Sequence, residues 1–406
     1  MAVGSAPLPE FLQIDGIRIG VARAGIKQTK RPDLTVFELC QGASVAGVFT
    51  QNAFSAAPVT LCRQHLEQTE QIRYLLVNAG NANAGTGAQG LENARATSRT
   101  LAEKTGVDTV QVLPFSTGVI GEHLPVEKIV QAMDSALEDL SENNWAAGAQ
   151  AIMTTDTRPK GASHSIEVAG KTVNISGICK GSGMIRPNMA TMLAYVAMDA
   201  KVSPGLLEQL LQESVRVSFS RITVDGDTST NDAAMLIASG KGELDADKLM
   251  EDDLWLLQQA LNLVMIELAQ LIIRDGEGAT KFLHVRVDGG RNETECEQVA
   301  FAIAQSPLVK TALFASDANW GRILAAVGRA GLENLVVEDV SLYINQVLIA
   351  ENGCRASSYT EAAGAKALAA QDVEIHIELK RGEAGAIVWT CDLSHEYVSI
   401  NADYRS

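Results

Sequence analysis

The sequence predicts a mixed α/β protein: a layered main domain over residues 1–280, then a smaller α/β lobe over 281–406. Three observations carry that prediction. Short apolar or alternating runs of strand length recur between segments of helical periodicity. Turn chemistry rich in Gly, Asn and Asp separates them. The pattern also changes character after Glu277-Gly-Ala-Thr280, where a strand over Phe282–Val287 opens a new series. No tandem repeat is visible, and the length allows two or three domains.

Residues 12–28 alternate loosely around turn glycines and read as a hairpin. Leu34–Leu39 and Ser44–Phe49 follow as strands. Arg73–Val77 is a short apolar strand that stops at Asn78-Ala-Gly-Asn-Ala-Asn-Ala-Gly-Thr-Gly87. That run is too rich in Gly and Asn for a regular element and suits an anion-binding nest. Gln89–Gly106 is helical. Val110–Leu113 is a strand entering the turn Pro114-Phe-Ser-Thr-Gly-Val-Ile-Gly121. Helices over Val126–Leu140 and Asn144–Met153 are closed by Thr154-Thr-Asp-Thr157. Ser165–Val168 and Lys171–Cys179 form a hairpin around Gly170.

The next stretch is the most informative. Lys180-Gly-Ser-Gly-Met-Ile-Arg-Pro-Asn-Met-Ala-Thr191 is glycine-rich and polar, yet runs straight into the apolar Met192–Met198. Ser203-Pro204 then starts a helix to about Ser218, with a capping serine and a proline in the first turn. Val224–Asp232 is a polar turn. A helix over Ala246–Ile273, with a break near Asp253, ends near Asp275-Gly276. Its segment Ala260–Ile273 is the most apolar in the chain, but Asn262, Glu267 and Gln270 interrupt it, so it reads as a buried amphipathic helix and not a membrane span. In the lobe, helices fall over Glu293–Ala304, from Ser306-Pro307, over Ile323–Arg329 and over Thr360–Ala370. Strands fall over Val340–Ile349, Val373–Leu379 and Ala386–Thr390, and Leu393–Ile400 pairs with the last of them as a hairpin.

A net charge of −16 argues against a nucleic-acid partner, which requires a basic footprint. Six cysteines without a CxxC pair read as free thiols in a reducing compartment. The start of the chain lacks the charged and apolar regions of a signal peptide, so a cytoplasmic location is expected. The six histidines are dispersed without HExxH or close ligand spacing, and no metal or bound cofactor is expected. The Val224–Asp232 loop lacks the glycine and terminal glutamate of a calcium loop. Walker, GxGxxG and GxSxG patterns are absent.

Thr191 by itself is better explained by the strand preference of a β-branched residue. As a nucleophile it needs a base, and cleavage of the bond before it would supply one. The new α-amine, with a pKa near 8, takes the hydroxyl proton close to neutrality. The turn residues Thr117 and Gly118 offer a hydroxyl and a backbone N–H for an oxyanion.

These segments resemble the glutamate N-acetyltransferase (ornithine acetyltransferase) family of arginine biosynthesis. The resemblance rests on Lys180–Met192, Asn78–Asn83, Ser116–Gly121, Thr154–Thr157, Asp225–Asp232, Arg274–Thr280 and Ser316–Arg322, which stand in the family's order over nearly the whole chain. It implies an ArgJ-like fold, whose layered main domain is similar to that of self-processing aminopeptidases with an N-terminal nucleophile. It implies self-cleavage between Ala190 and Thr191 into an α chain, 1–190, and a β chain, 191–406, assembled as α2β2. Thr191 then carries an acetyl group from N2-acetyl-L-ornithine to L-glutamate by a ping-pong route, with acetyl-CoA as a second donor in bifunctional members. The family pattern gives Thr117 and Gly118 the oxyanion role. It places Thr154, Lys180, Thr191, Glu277, Asn401 and Ser406 at the substrates. Lys180 suits a carboxylate and Glu277 an amine. The pattern usually ends in threonine, so Ser406 keeps the hydroxyl and loses a methyl. Read singly, Lys180 is equally a solvated turn charge, Thr154 a turn brace and Asn401 a tail residue. A threonine amidohydrolase or aminopeptidase and an uncleaved structural protein are the alternatives to the transferase.

Overall fold

A computed structural model describes residues 2–4, 7–27, 30–186 and 192–403. In chain order the strands and helices begin with β1 (Ile17–Ala22), β2 (Leu34–Leu39), β3 (Ser44–Phe49), α1 (Ala57–Gln68), β4 (Tyr74–Asn81), α2 (Gly87–Thr105) and β5 (Val112–Val119). Next come α3 (Val126–Glu138), α4 (Trp145–Ala151), β6 (Lys160–Val168), β7 (Lys171–Lys180), β8 (Leu193–Met198), α5 (Pro204–Val217), β9 (Ile222–Thr223), β10 (Ala233–Ala238) and α6 (Glu251–Arg274). Then follow β11 (Phe282–Gly290), α7 (Glu293–Ala304), α8 (Pro307–Phe314), α9 (Trp320–Gly328), β12 (Ser341–Ile344) and β13 (Val347–Glu351). The chain closes with β14 (Cys354–Arg355), α10 (Glu361–Ala367), β15 (Asp372–Glu378), β16 (Ala384–Cys391) and α11 (His395–Ala402).

Two compact units divide these elements. The first comprises Pro7–Ser220 and Thr228–Ile272; the second comprises Met1–Ala6, Arg221–Asp227 and Ile273–Ser406. The division therefore leaves the main run of chain at the end of α6, ahead of residue 280, and draws two short early segments into the second unit. Each is tied there by backbone pairing. Val3 N–H donates to the Arg274 carbonyl at 2.7 Å, and Ile222–Thr223 runs parallel to Trp389–Thr390.

The first unit is a sandwich of two sheets, ordered β1-β2-β4-β5 and β3-β10-β8-β7-β6. Period-two alternation sorts their side chains. Phe37, Leu75, Val77 and Phe115 of one sheet share a buried core with Tyr195, Ala197, Met235 and Ile237 of the other. The opposite face of the first sheet, with Val36, Leu76 and Val112, packs on Leu101 of α2 and on Ile129 and Met133 of α3. Behind the second sheet lie α5 and α6. Leu268 of α6 approaches Gly177 of β7, where an added Cβ would lie 3.1 Å from its Cδ1. Ser214 of α5 donates to Asn262 of α6 at 2.9 Å. Strands β8 and β10 are buried along their whole length, as expected between two apolar layers. Helix α6 is long and apolar enough to cross a membrane by length and composition. Its Leu257, Leu261, Val264, Met265, Leu268 and Ile272 are buried inside the protein.

The second unit is a seven-stranded mixed sheet, ordered β14-β13-β12-β15-β11-β16-β9. Val285, Val287, Ile375 and Val388 form its core with Cys296, Val299 and Ile303 of α7 and with Val309 and Ile323 of α8 and α9. Side-chain caps from Ser306 and Asn319 start α8 and α9.

Several elements differ from the sequence reading. The stretch from Val224 to Asp232 is interrupted by the unit division, and Ala233–Ala238, left unassigned, is the buried β10. Helix α1 over Ala57–Gln68 is a further element that the sequence pattern does not mark. The C-terminal hairpin does not form. Strand β16 already has neighbours on both edges, β11 and β9, so Leu393–Ile400 has no edge to join. Ser394 instead accepts from Glu396 N–H and starts α11. Its hydroxyl also donates to the Gly278 carbonyl at 2.6 Å. Gly278 has φ +69°, and an added Cβ would fall 2.6 Å from both Ser394 Oγ and Tyr397 N. Gly278→Ala is therefore expected to cost about 1–3 kcal/mol and to raise hydrogen exchange across α11. Unchanged protection of residues 395–402 would refute this account of how the helix is seated.

Candidate active site

The expected oxyanion turn is a strand end. β4 and β5 run parallel with Ala79 opposite Thr117 and Gly80 opposite Gly118, and the register shifts at Asn81. Gly118 has φ +136°, and an added Cβ would lie 2.2 Å from the Gly80 carbonyl carbon and 2.5 Å from Asn81 N. Only glycine fits at this approach of two backbones. Helix α1 fastens β5 from below: the Cys62 thiol donates to the Pro114 carbonyl at 3.0 Å, and His65 Nδ1 meets the Val112 carbonyl at 2.8 Å.

The Asn/Gly run after Val77 was expected to be irregular and to suit an anion nest. Instead β4 continues to Asn81, and the asparagines brace the seam. Ser116 Oγ donates to Asn78 Oδ1 at 2.6 Å, and Asn78 Nδ2 donates to the Asn81 carbonyl at 2.9 Å. Asn83 N–H donates to Asn81 Oδ1 at 2.8 Å. Asn231 Nδ2 donates to the Ala82 and Ser116 carbonyls at 2.6 and 2.9 Å. Polar side chains thus supply the hydrogen bonds that the buried irregular backbone needs.

Lys180 ends β7, and its Nζ donates to Thr117 Oγ1 at 3.0 Å. Thr154 lies in the turn whose N–H donates to Asp156 Oδ2 at 2.8 Å. The other oxygen of Asp156 accepts from Gly181 N–H at 2.7 Å and from Lys160 Nζ at 2.5 Å. Asp156 therefore ties the Thr154 turn to the segment beginning at Lys180, and the Thr155 and Ser182 hydroxyls meet across the same join at 2.8 Å. Burial by itself would raise the Asp156 carboxyl. Lys160, Lys180 and the Gly181 N–H outweigh it and hold the group well below the usual carboxylate range. Thr117, Gly118, Thr154 and Lys180 are thus drawn together in the first unit.

In the second unit, buried Glu277 accepts from Asn401 Nδ2 at 2.7 Å. The same amide donates to the Tyr397 carbonyl at 3.0 Å, so the tail helix presents Asn401 to the carboxylate. Tyr397 donates to Asp225 Oδ2 at 3.2 Å, and burial followed by Asp225 pushes its hydroxyl pKa far up. Ala190, Thr191 and Ser406 lie outside the described residues. Among the described residues no group of three or more His, Cys, Asp or Glu gathers in a metal-holding arrangement.

The ArgJ family model matches residues 18–406. The chain belongs to the ArgJ family. The arginine biosynthesis bifunctional protein ArgJ of Pseudomonas fluorescens is 55% identical over 407 residues, covering 100% of both chains. The same-named protein of Psychrobacter arcticus is 53% identical over 408 residues, again covering 100% of both. The crystal structure of the arginine biosynthesis bifunctional protein ArgJ from Bacillus halodurans is 39% identical, covers 50% of this chain and 95% of that one, and has a TM-score of 0.47.

Asp156 stood in a family-like segment of the sequence without a role; its hold on two separate turns is visible only in three dimensions. Because folding lowers its pKa, ionised Asp156 stabilises this ArgJ-family protein above about pH 4, and that stability is lost as pH falls toward the lowered value. Asp156→Asn is expected to cost roughly 3–5 kcal/mol at pH 7 and to flatten the acid limb of the stability curve. Parallel acid limbs for the variant and the parent would contradict this.

Proposed function

We propose that this chain is an autoprocessed acetyltransferase of arginine biosynthesis. It moves an acetyl group from N2-acetyl-L-ornithine to L-glutamate and also acetylates glutamate from acetyl-CoA. The observation that carries the reading is full-length membership of the ArgJ family at 55% identity to a bifunctional relative. The contact of Lys180 with Thr117 beside Gly118 supports the residue roles.

Cleavage between Ala190 and Thr191 frees the threonine amine, which takes the hydroxyl proton as Thr191 Oγ attacks the acetyl carbonyl. The oxyanion is met by Gly118 N–H and the Thr117 hydroxyl. A cation donating to Thr117 Oγ1 leaves the hydroxyl's own proton to point elsewhere and polarises it as a donor. Collapse expels the ornithine amine, which receives the proton from the Thr191 ammonium, and leaves acetyl-Thr191. The glutamate amine then attacks this ester and loses its proton to the Thr191 amine; collapse breaks the bond to Thr191 Oγ, which takes that proton back, and N-acetylglutamate departs. Thr154, Lys180, Glu277, Asn401 and Ser406 are the substrate-binding residues of this reading. The cleaved chains assemble as α2β2 in the cytoplasm.

Denaturing electrophoresis is expected to resolve two fragments of similar size, with the larger beginning at Thr191 on terminal sequencing. Thr191→Ala is expected to abolish both cleavage and turnover. Only intact chain in an active preparation would defeat the mechanism. Glutamate is expected to accelerate ornithine release. Release indifferent to glutamate, with stoichiometric acetate, would favour a threonine amidohydrolase instead.

A further inference from the structure

Lys27 and Arg31 both reach Met153, and Lys180 lies close enough to act on the Lys27 charge, in a chain whose net charge is −16. The loop that delivers Lys27 is built on the buried Asp33. Its carboxylate accepts N–H bonds from Ala24, Gly25, Ile26 and Lys27 at 2.6, 3.3, 2.7 and 3.0 Å. The Asp33 carbonyl in turn accepts from Ala79 N–H of β4 at 2.9 Å. Lys27 is thereby laid on the seam: a Cβ added to Gly80 would fall 2.8 Å from Lys27 Cγ, and Gly80 is the residue opposite Gly118. Lys27 Nζ donates to the Met153 carbonyl, and Arg31 Nη1 lies 3.9 Å from Met153 Sδ. Lys180, from the other side, reaches Thr117.

The nearby carboxylates are already engaged. Asp156 holds Lys160 and two backbone N–H groups, and Asp33 holds its own loop. Among the described residues neither Lys27 nor Arg31 has an ion-pair partner. Lys27 thus stands beside the proposed oxyanion turn with Arg31 near enough to act on its charge, and neither of these half-buried cations forms an ion pair among the described residues.

We propose that Lys27 and Arg31 form the subsite for the side-chain carboxylate of the acceptor, which makes the acceptor a dicarboxylic amino acid held at its other end by Lys180. This rests on the acetyl-transfer reading above and names what selects glutamate within it. A single carboxylate supplies the charge the pair lacks, and the packing of Lys27 on Gly80 keeps the subsite small and close to the reacting centre. The electrostatics agree. Burial first, then Arg31 and Lys180, lower the Lys27 pKa to about 8 against the opposing pull of Asp156 and Asp33. Lys27 is therefore protonated at neutral pH and loses its charge as pH rises through that value, so the KM for glutamate is expected to climb on the alkaline side.

The test uses the full-length processed enzyme, with N2-acetylornithine as donor and glutamate or glutamine as acceptor. The parent enzyme is expected to prefer glutamate. Lys27→Met and Arg31→Gln are each expected to raise the KM for glutamate by about tenfold or more while moving that for glutamine by less than about twofold, so the preference collapses. Arg31→Gln carries the test if Lys27→Met misfolds. A glutamate-to-glutamine ratio of kcat/KM that stays within twofold of the parent in the folded variants overturns the proposal. A raised KM for acetyl-CoA with an unchanged KM for glutamate also overturns it, and assigns the cations to the coenzyme's phosphates. Failure of the parent enzyme to release ornithine from acetylornithine would be seen first and would sink the acetyl-transfer reading itself.

Discussion

The close approach of β4 and β5 at Gly80 and Gly118 is the constraint on which the first unit's chemistry depends. A side chain at Gly80 would meet Lys27 and Ile26, and one at Gly118 would collide with the neighbouring backbone, so this crossing requires glycine at 118. That permits φ +136° at Gly118 and turns the strand end away from regular pairing. Irregular backbone inside a protein must still satisfy its polar groups. Asn78, Asn81, Asn83 and Asn231 do so with side-chain amides, which converts a flexible composition into a rigid frame. A rigid frame is what an oxyanion site requires, because donors that must reorganise during the reaction contribute less to the transition state.

Charge is organised around the same seam. A buried carboxylate, Asp156, gathers N–H and ammonium donors from two turns and is stable only while ionised. Lys160 matches it at 0% exposure of both side chains. Lys180 near Thr117 and Lys27 over Gly80 add further positive charge at this seam. Mutual repulsion among neighbouring cations is unfavourable and is relieved by an anionic ligand. Coulombic strain of this kind is a normal feature of binding sites and an uncommon one elsewhere.

Much of the architecture was legible because the local signals agreed with the global fold. The apolar run at Leu193–Met198 became a fully buried strand, Ser203-Pro204 began α5, and Asn319 capped α9. The misreadings share one cause. Asn78–Asn81 has the composition of a loop, but β5 along the run and β2 at Asn78 supply the pairing that composition alone would not predict. Leu393–Ile400 has enough apolar alternation for a strand, but the edge it would join is taken by Ile222–Thr223, from far earlier in the chain. Tertiary context overrode propensity in both places.

The residues of the candidate site divide along the same line. Thr117, Gly118, Thr154 and Lys180 were marked by motifs, because a motif records residues whose chemistry is fixed by position in the chain. Lys27 lay in no motif and Asp156 lay in one without a role, because what distinguishes them is a charge environment assembled from distant segments. Asp33 aims Lys27 by folding its own loop, and Gly80 provides the bare backbone on which the lysine stem lies. Neither relation has a sequence spacing to search for. Residues whose place is fixed along the chain can thus be read from one dimension, whereas a charge environment becomes visible only when groups from separate strands and loops are seen to face one another.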